Sequence, residues 1–278
     1  MQYLGPERDL APLPCIRADV DDGVLTVALN RPAQRNTIDV ALSHGMDQLL
    51  QAVAHDPAVR VLVLRGEGAG FCAGMDPQDF HDASRRSERT LHAARESANH
   101  WRVRVLRMLP QPVIAMVHGF CHGGALAILE SCDIVLAADD AEFSIGDPDG
   151  ILFPQGPLAK SVAQMMAPRA ARYYALTGGS FDGREAERNG VASRSLPAAE
   201  LEQETRLLAR EFVGKDALAL QFTKQALQHV DTMGWDGVLD YTAAKLAELK
   251  ALQAGRPSTR AAAVDSFLGG KSKPGLGG

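Results

Sequence analysis

Two glycine-centred segments contain the residues of this sequence whose types and spacing could do chemistry. They are residues 71–76 (Phe-Cys-Ala-Gly-Met-Asp) and 118–125 (His-Gly-Phe-Cys-His-Gly-Gly-Ala), and each follows an apolar run that predicts a buried strand. A backbone without Cβ can turn sharply and expose its amides to a ligand. We therefore predict that the N–H groups of Met75 and Gly124 form an oxyanion hole, which stabilises negative charge on an oxygen such as that of an enolate.

Gly124 also begins a stretch of small residues, 124–131, whose pattern predicts a helix. The positive end of the helix dipole would add to the potential at the same oxygen. Loss of one such donor typically lowers the rate on the order of 10²–10³. Glycine pairs are also common in ordinary turns, so either segment taken alone is more often structural, and only the order and spacing of the two favour a site.

The elements that must position these segments alternate between strands and helices. Strands are predicted at 24–29, 59–64, 113–117, 134–137 and 143–145, and helices at 39–54, 85–109 and 124–131. Repeated strand–helix units require a mainly parallel sheet covered by helices, because right-handed connections return the chain to the same sheet. We therefore expect an α/β fold.

Three regions are predicted along the chain. Residues 1–14 contain three prolines and predict an irregular arm, residues 15–197 form the alternating core with the site, and residues 198–278 form a helical region with a flexible tail. The helices predicted in the last region are 198–213, 216–230, 235–252 and 259–268.

The composition argues against several classes of protein. The 278 residues are 46% hydrophobic and carry a net charge of −5, so we expect a large core and no nucleic-acid partner. The four cysteines include no Cys-x-x-Cys pair, so we expect neither a metal site nor disulfides, only small packing thiols. No apolar signal region or membrane-length apolar run occurs, so no membrane association and a cytoplasmic location are expected.

The chain resembles the crotonase (enoyl-CoA hydratase/isomerase) superfamily over roughly residues 16–270. The motifs occur in the order of that family: Asn-Arg-Pro and Arg-Asn within 30–36, the two glycine-centred segments, Cys-Asp-Ile at 132–134 and Ala-Glu-Phe at 141–143. Further segments are similar to hydroxycinnamoyl-CoA hydratase-lyase-like members: 73–76, 106–108, 173–178, 240–246 and 267–276. The catalytic positions are altered from that subgroup.

The resemblance implies a crotonase (ClpP/crotonase-like) spiral of ββα units with a helical C-terminal trimerisation region. It also implies an acyl-CoA thioester as substrate, whose carbonyl oxygen lies in the oxyanion hole. Coenzyme A would be part of the substrate, with no permanently bound cofactor. The implied assembly is a homotrimer or a hexamer built as a dimer of trimers.

The carboxylates of the family's hydratases are only partly present. The two positions that hold Glu in those enzymes read Ala127 and Asp147 here. We expect Asp147 to move the proton at the carbon next to the thioester, although an Asp before Pro148 is also typical of a turn. Asp149 is the alternative acid. Simple hydration by two glutamates is therefore doubtful.

Two other side chains could compensate for Ala127. In the hydratase-lyase subgroup a Ser and a Tyr handle the substrate hydroxyl, and these positions read Ala127 and Ala243. His122 could position water or titrate near neutral pH, or it could be a loop histidine bonded to backbone. Glu130 lies one turn beyond Ala127, or it could form an ion pair at the surface or a subunit interface.

Five residues match positions that bind the coenzyme A portion in the family: Arg35, Ala73, Asp76, Phe267 and Lys271. Arg35 matches a position near the phosphates, and the Ala73 backbone matches one that meets the adenine. Phe267 and Lys271 resemble contacts from a neighbouring subunit. Simple solvation at the surface is the alternative for Arg35.

The leading hypothesis is an enzyme that hydrates an α,β-unsaturated acyl-CoA through a thioester enolate. Isomerisation, hydratase-lyase cleavage and thioester hydrolysis would use the same oxyanion hole. A catalytically silent acyl-CoA-binding subunit is a further alternative, suggested by Ala127 and Ala243.

Overall fold

The computed structural model describes residues 1–3, 5–6, 11–80, 87–146, 153–254 and 266–270. The chain divides into two compact units, Met1–Gly214 and Lys215–Gly278. Among these described residues, no helix combines the length and the apolar character needed to cross a membrane.

A six-stranded sheet is the centre of the first unit. Its strands are β1 (Ile16–Asp21), β2 (Val24–Leu29), β3 (Val61–Gly66), β4 (Val113–Val117), β6 (Ile134–Ala138) and β9 (Arg194–Leu196), in the order β1-β2-β3-β4-β6-β9. β1 pairs with β2 antiparallel, and the other neighbours are parallel. The parallel sheet that the strand–helix alternation predicts is therefore present.

A second, three-stranded sheet follows the turn after β4. It contains β5 (Phe120–His122), β7 (Glu142–Ser144) and β8 (Ser180–Phe181), with β7 in the centre. β5 and β7 are parallel, whereas β7 and β8 are antiparallel. Because β5 ends directly before Gly123, this sheet fixes where the second glycine-centred segment turns into a helix.

The helices of the first unit cover the strands. They are α1 (Val40–Ala54), α2 (Pro77–Phe80), α3 (Glu88–His100), α4 (Leu106–Met108), α5 (Leu126–Glu130), α6 (Pro157–Met165), α7 (Pro168–Thr177), α8 (Gly183–Arg188) and α9 (Ala198–Val213). A π-helical turn, Trp101–Val105, joins α3 to α4, and a 3₁₀ turn, Gly123–Ala125, precedes α5.

The core follows from the patterns of the elements. Every residue of β4 is buried, as expected for a parallel strand covered on both faces. α1 buries the stripe that includes Leu42, Met46, Leu49 and Val53, spaced so that one face of the helix packs inward.

Residues 1–3, at the start of the predicted irregular arm, pair with the sheet. Tyr3 is buried, its N–H donates to Ala18 O at 2.8 Å, and its hydroxyl donates to Asp56 at 2.9 Å. Residues 1–3 therefore lie antiparallel beside β1 at the edge of the sheet. β1 itself was not predicted from the sequence patterns.

The second unit contains α10 (Ala217–Val230) and α11 (Trp235–Leu252), close to the predicted bounds. Lys245 Nζ lies 5.1 Å from the centre of the Phe222 ring and so links the two helices. Most of the helix predicted at 259–268 lies outside the described residues. The predicted boundary at residue 197 falls 17 residues before the division between the units, because α9 packs on the first unit's sheet.

Candidate active site

The two glycine-centred segments meet at the ends of parallel strands. Cys72 and Cys121 form a parallel bridge between them. His122 N–H donates to Cys72 O at 3.0 Å, and Cys72 N–H donates to Phe120 O at 3.2 Å. These bonds fix one segment against the other, so that the residues following Cys72 and Cys121 lie side by side.

Gly74 makes this close approach possible. Its φ of +92° is in the region that favours glycine, and an added Cβ would lie 2.7 Å from His122 O and 3.3 Å from Gly124 N. Ile38 N–H donates to Gly74 O at 2.8 Å and holds the turn from the other side. A side chain at position 74 would therefore push the segments apart.

Met75 and Gly124, the predicted oxyanion-hole residues, are neighbours. A Cβ built on Gly124 would lie 2.9 Å from Met75 Cγ. Over the described ranges, neither the Met75 N–H nor the Gly124 N–H has a hydrogen-bond acceptor. Gly124 lies in the first turn of a helical segment, where amides have no acceptor within the helix. Both donors are therefore available to a ligand.

A cavity of about 370 Å³ opens beside these amides. Its wall combines backbone of the two segments with apolar side chains and a few polar ones. The lining residues are Ala73, Gly74, Met75, Phe80, Arg95, Asn99, Arg102, Gly123, Gly124, Ile145, Gly146, Phe153, Gln155, Gly156, Pro157 and Leu158. A mostly apolar cavity with a small number of converging polar groups is the usual form of a small-molecule site.

Arg102 is the buried charge of this cavity, with only 3% of its surface exposed. Its Nη1 donates to Gly124 O at 2.6 Å, its Nε to Ala98 O at 2.8 Å and its Nη2 to Asn99 Oδ1 at 2.8 Å. Burial lowers the pKa of the Arg102 guanidinium to about 10, so it stays charged at neutral pH. The residue belongs to the π-helical turn, a distortion that is frequent at functional sites.

Sequence reasoning missed Arg102 and its neighbours Arg95 and Asn99. The available signal was their spacing of four and three residues, which puts all three side chains on one face of a helix. That spacing alone cannot distinguish a cavity wall from a solvated face, and the structure makes the distinction.

The thiols of Cys72 and Cys121, beside the Met75 and Gly124 amides, are buried and free. Burial raises the pKa of Cys72 to about 12 and that of Cys121 well above its usual value. Both thiols therefore remain protonated and act as small apolar groups.

His122 does not line the cavity. Its Nε2 lies 3.0 Å from Glu142 Oε1, close enough for an ion pair although not aligned as a hydrogen bond. Its ring centre is 5.5 Å from that of Phe120, over which the Arg35 guanidinium lies at 4.6 Å. Burial lowers the pKa of His122, Arg35 lowers it further, and Glu142 opposes this shift.

The carboxylates considered from the sequence differ in whether the structure describes them and in what they contact. Glu130 forms an ion pair with Arg107 and does not line the cavity. This agrees with the ion-pair interpretation of Glu130 and not with a role in place of Ala127. Ala127 is fully buried in the core. Asp147 and Asp149 lie outside the described residues, but Asp147 directly follows Gly146, which lines the cavity.

The residues expected at coenzyme A positions lie in different surroundings. Ala73 lines the cavity, and its N–H donates to Arg35 O at 3.0 Å, while the Arg35 side chain is exposed. Asp76 is largely buried, and its Oδ2 accepts hydrogen bonds from Thr37 at 3.0 Å and from Arg31 at 3.3 Å. Phe267 is 55% exposed, and Lys271 lies outside the described residues.

The chain belongs to the enoyl-CoA hydratase/isomerase family, whose model matches residues 19–248. It is an enzyme of that family, and the resemblance to the crotonase superfamily is confirmed.

Individual proteins support the same assignment. The chain is 34% identical to the hydroxycinnamoyl-CoA hydratase-lyase of Pseudomonas fluorescens over 263 residues, 94% of this chain and 95% of that protein. It is 28% identical to the peroxisomal Delta(3,5)-Delta(2,4)-dienoyl-CoA isomerase of Arabidopsis thaliana over 240 residues, 83% of this chain and 86% of the isomerase. The crystal structure of an enoyl-CoA hydratase from Mycobacterium smegmatis matches with a TM-score of 0.82 at 24% identity, covering 94% of this chain and 98% of that one. This likeness confirms the crotonase fold.

Proposed function

We propose that the protein binds an α,β-unsaturated acyl-CoA thioester and adds water to it. The amides of Met75 and Gly124 hold the thioester oxygen as an enolate develops, and Asp147 moves the proton at the neighbouring carbon. Coenzyme A enters and leaves as part of the substrate, without a permanently bound cofactor.

One observation carries this proposal: two unoccupied backbone donors from separate segments adjoin one mostly apolar cavity. Preorganised donors of this kind stabilise charge that appears during acyl-group chemistry, because they need no reorganisation when the charge develops. The thiols beside them are protonated, so this wall supplies hydrogen bonds and no nucleophile.

A hydratase-lyase or isomerase reaction is the second candidate. Ala127 is buried and apolar, so the hydratase pair of carboxylates is incomplete at that position. The similarity to a hydratase-lyase and to a dienoyl-CoA isomerase supports the same alternative. One mobile proton at Asp147 is enough for isomerisation, whereas hydration also needs a positioned water molecule. A thioester hydrolase or a silent acyl-CoA-binding subunit would keep the hole and lose this chemistry.

The coenzyme A portion is proposed to contact Arg35 and Ala73 of one subunit and Phe267 and Lys271 of a neighbour. Asp76 is proposed to support this region through its bonds to Arg31 and Thr37. His122 remains a candidate for positioning water, although its contact with Glu142 lies away from the described cavity wall.

Incubation of the purified protein with crotonyl-CoA and feruloyl-CoA tests these reactions. Thioester absorbance follows the unsaturated substrate, and mass spectrometry identifies the product. A mass increase of one water supports hydration, an unchanged mass with a shifted double bond supports isomerisation, and release of an aldehyde supports hydratase-lyase action. Thioester binding without any product would contradict an enzymatic role at this site.

We predict that Asp147→Asn lowers kcat by about 10²–10⁴, the usual contribution of a general acid or base. The substrate affinity should change little, because the carboxamide keeps the shape but cannot accept the proton. Asp149→Asn is the matched control in the same segment. Full activity of Asp147→Asn would remove this residue from the mechanism, and selective loss in Asp149→Asn would transfer the role to Asp149.

A further inference from the structure

Arg102 is a buried cation without an acidic partner among the described residues. Three of the five N–H groups of its guanidinium donate to Ala98 O, Gly124 O and Asn99 Oδ1. One N–H on each terminal nitrogen remains, and the side chain lines the cavity. A buried charge is unfavourable unless it is paired and hydrogen-bonded, so this site favours an anionic ligand.

The neighbouring polar side chains present donors as well. Asn99 Oδ1 already accepts from Arg102, so Nδ2 is the amide group left for a ligand, and it lies 4.0 Å from a Cβ built on Gly156. Arg95 lines the same wall one turn earlier and donates to Phe80 O at 3.3 Å. We call Arg95, Asn99 and Arg102 the donor face. The described lining includes no Asp or Glu, so the donor face matches a group that only accepts.

The position of Arg102 indicates which part of a thioester substrate carries the anionic group that accepts from the donor face. Its Nη1 contacts the carbonyl of Gly124, the residue whose N–H is proposed to hold the thioester oxygen. The phosphates of coenzyme A are separated from that oxygen by the whole pantetheine arm. An anion at Arg102 must therefore be on the acyl group, a few bonds from the thioester. A carboxylate fits the planar fork of a guanidinium best, because two parallel hydrogen bonds can form.

We propose that the donor face binds a carboxylate on the acyl group, so that the preferred substrates are mono-CoA thioesters of unsaturated dicarboxylic acids. This inference rests on the proposed function, since it takes the thioester oxygen to lie at Met75 and Gly124. It adds the chemical class of the acyl group, which the two amides do not determine.

The test compares trans-glutaconyl-CoA, which carries a terminal carboxylate, with its uncharged methyl ester. For the unmodified enzyme, kcat/KM for the acid should exceed that for the ester on the order of 10- to 100-fold, the usual range for hydrogen bonds to a charged group. p-Coumaroyl-CoA serves as a third substrate, because a phenol could also accept from the donor face.

Variants assign the preference to the donor face. Arg95→Gln changes an exposed side chain and should reduce the preference without unfolding the protein. Arg102→Gln should remove most of it, and Arg102→Lys should restore part of it by keeping the charge. Arg104→Gln is the control, because Arg104 is exposed on the same turn and does not line the cavity. Circular dichroism and the rate with the uncharged ester report whether the Arg102 variants keep the fold and the oxyanion hole.

Several outcomes separate this inference from the proposed function. Equal or faster turnover of the ester or of p-coumaroyl-CoA would overturn the carboxylate site and leave the thioester chemistry intact. An acid preference that Arg95→Gln and both Arg102 variants leave unchanged would also overturn it. Absence of binding and turnover with every thioester would overturn the proposed function, and the inference with it.

Discussion

At the scale of single residues, the candidate site depends on backbone conformations that side chains would prevent. A Cβ on Gly74 would meet His122 O and Gly124 N, and the Met75 amide follows Gly74 directly. The proposed oxyanion hole therefore depends on the position of peptide groups, and the side chains around it determine charge and shape. Because peptide groups and side chains have these different roles, one scaffold can support different reactions when residues such as Ala127 change.

We predict that Gly74→Ala separates the two segments. The new Cβ would lie 2.7 Å from His122 O at a φ of +92°, so the backbone must shift. We expect the free energy of unfolding to fall by roughly 1–3 kcal/mol and kcat to fall on the order of 10²–10³ as one donor moves. Urea denaturation and steady-state kinetics measure the two effects. Gly237→Ala, within α11 where the nearest atom is 3.8 Å away, is the control and should be tolerated. Normal activity of Gly74→Ala would contradict the proposed donor role of Met75.

His122 gives a prediction about pH. Burial lowers its pKa below the ordinary value of 6.5, so the unfolded chain binds a proton more readily than the folded one as the pH falls. The stabilising contribution is therefore present above pH 6.5 and is lost as the pH falls through the lowered pKa. Urea unfolding on both sides of pH 6.5 should show a smaller loss of stability for His122→Gln than for the unmodified protein.

Glu142 and Arg35 act on the same ring in opposite directions, so the comparison with the unmodified protein is essential. Acidic groups elsewhere titrate in both proteins and cancel in the difference. Gln48→Ala, at an exposed position of α1 and without a titratable group, should reproduce the unmodified pH dependence. An unchanged profile in His122→Gln would show that this histidine has the same pKa in the folded and unfolded states.

At the scale of elements, the parallel strands bring the two segments together. β3 and β4 are neighbours and run in the same direction, so the segments that follow them leave from the same edge of the sheet. Ile38 and Asp39 immediately precede α1, and Ile38 N–H donates to Gly74 O, so the start of α1 supports the first segment. Asp39 caps α1 by accepting from Leu42 N–H at 2.7 Å and also pairs with Arg31 at 3.0 Å.

We predict that Asp39→Ala lowers the free energy of unfolding by about 1–2 kcal/mol, because the first turn of α1 loses its cap. Arg31 would keep its contact with Asp76 and lose one of its two acidic partners. Urea denaturation measures the change. Gln48→Ala on the exposed side of α1 should change stability little. Equal stability of Asp39→Ala and the unmodified protein would mean that the cap contributes nothing measurable.

At the scale of the whole molecule, the described helices of the second unit expose apolar side chains. α11 has no buried residue along its length, and Trp235 and Leu239 are 84% and 64% exposed. Apolar side chains in such number on one helix favour an interface with another subunit. This surface supports the proposed homotrimer or hexamer and its C-terminal location.

We predict that the protein in solution has three or six times the chain mass of 29.7 kDa. Light scattering coupled to gel filtration measures this mass. The double variant Trp235→Asp, Leu239→Asp should dissociate to single chains, because charges at the interface lose their hydration. Asp240→Asn, an exposed polar change on the same helix, should leave the assembly intact. A single-chain mass for the unmodified protein would contradict the proposed assembly.

Much of the fold and part of the site could be predicted from sequence. β2, β4, α9 and α11 have the predicted bounds, because a long run of one periodicity leaves few alternative structures. The glycine-centred segments were recognisable because glycine spacing encodes backbone conformations that few other residues adopt. β1 was missed although its alternating apolar and polar residues are typical of a strand and its partner β2 follows directly. The pairing of residues 1–3 was missed because their partner in β1 is set only by the folded sheet.

The sequence by itself determined the backbone pattern of the proposed site: two glycine-centred segments after buried strands, in the order of the crotonase family. Only the tertiary structure decided which side chains surround that backbone. In the folded chain Arg102, Asn99 and Arg95 line the cavity. His122 contacts Glu142, and Glu130 pairs with Arg107. The physical reason is that glycine conformations and strand patterns are local, whereas the partner of a charged side chain depends on elements brought together by packing.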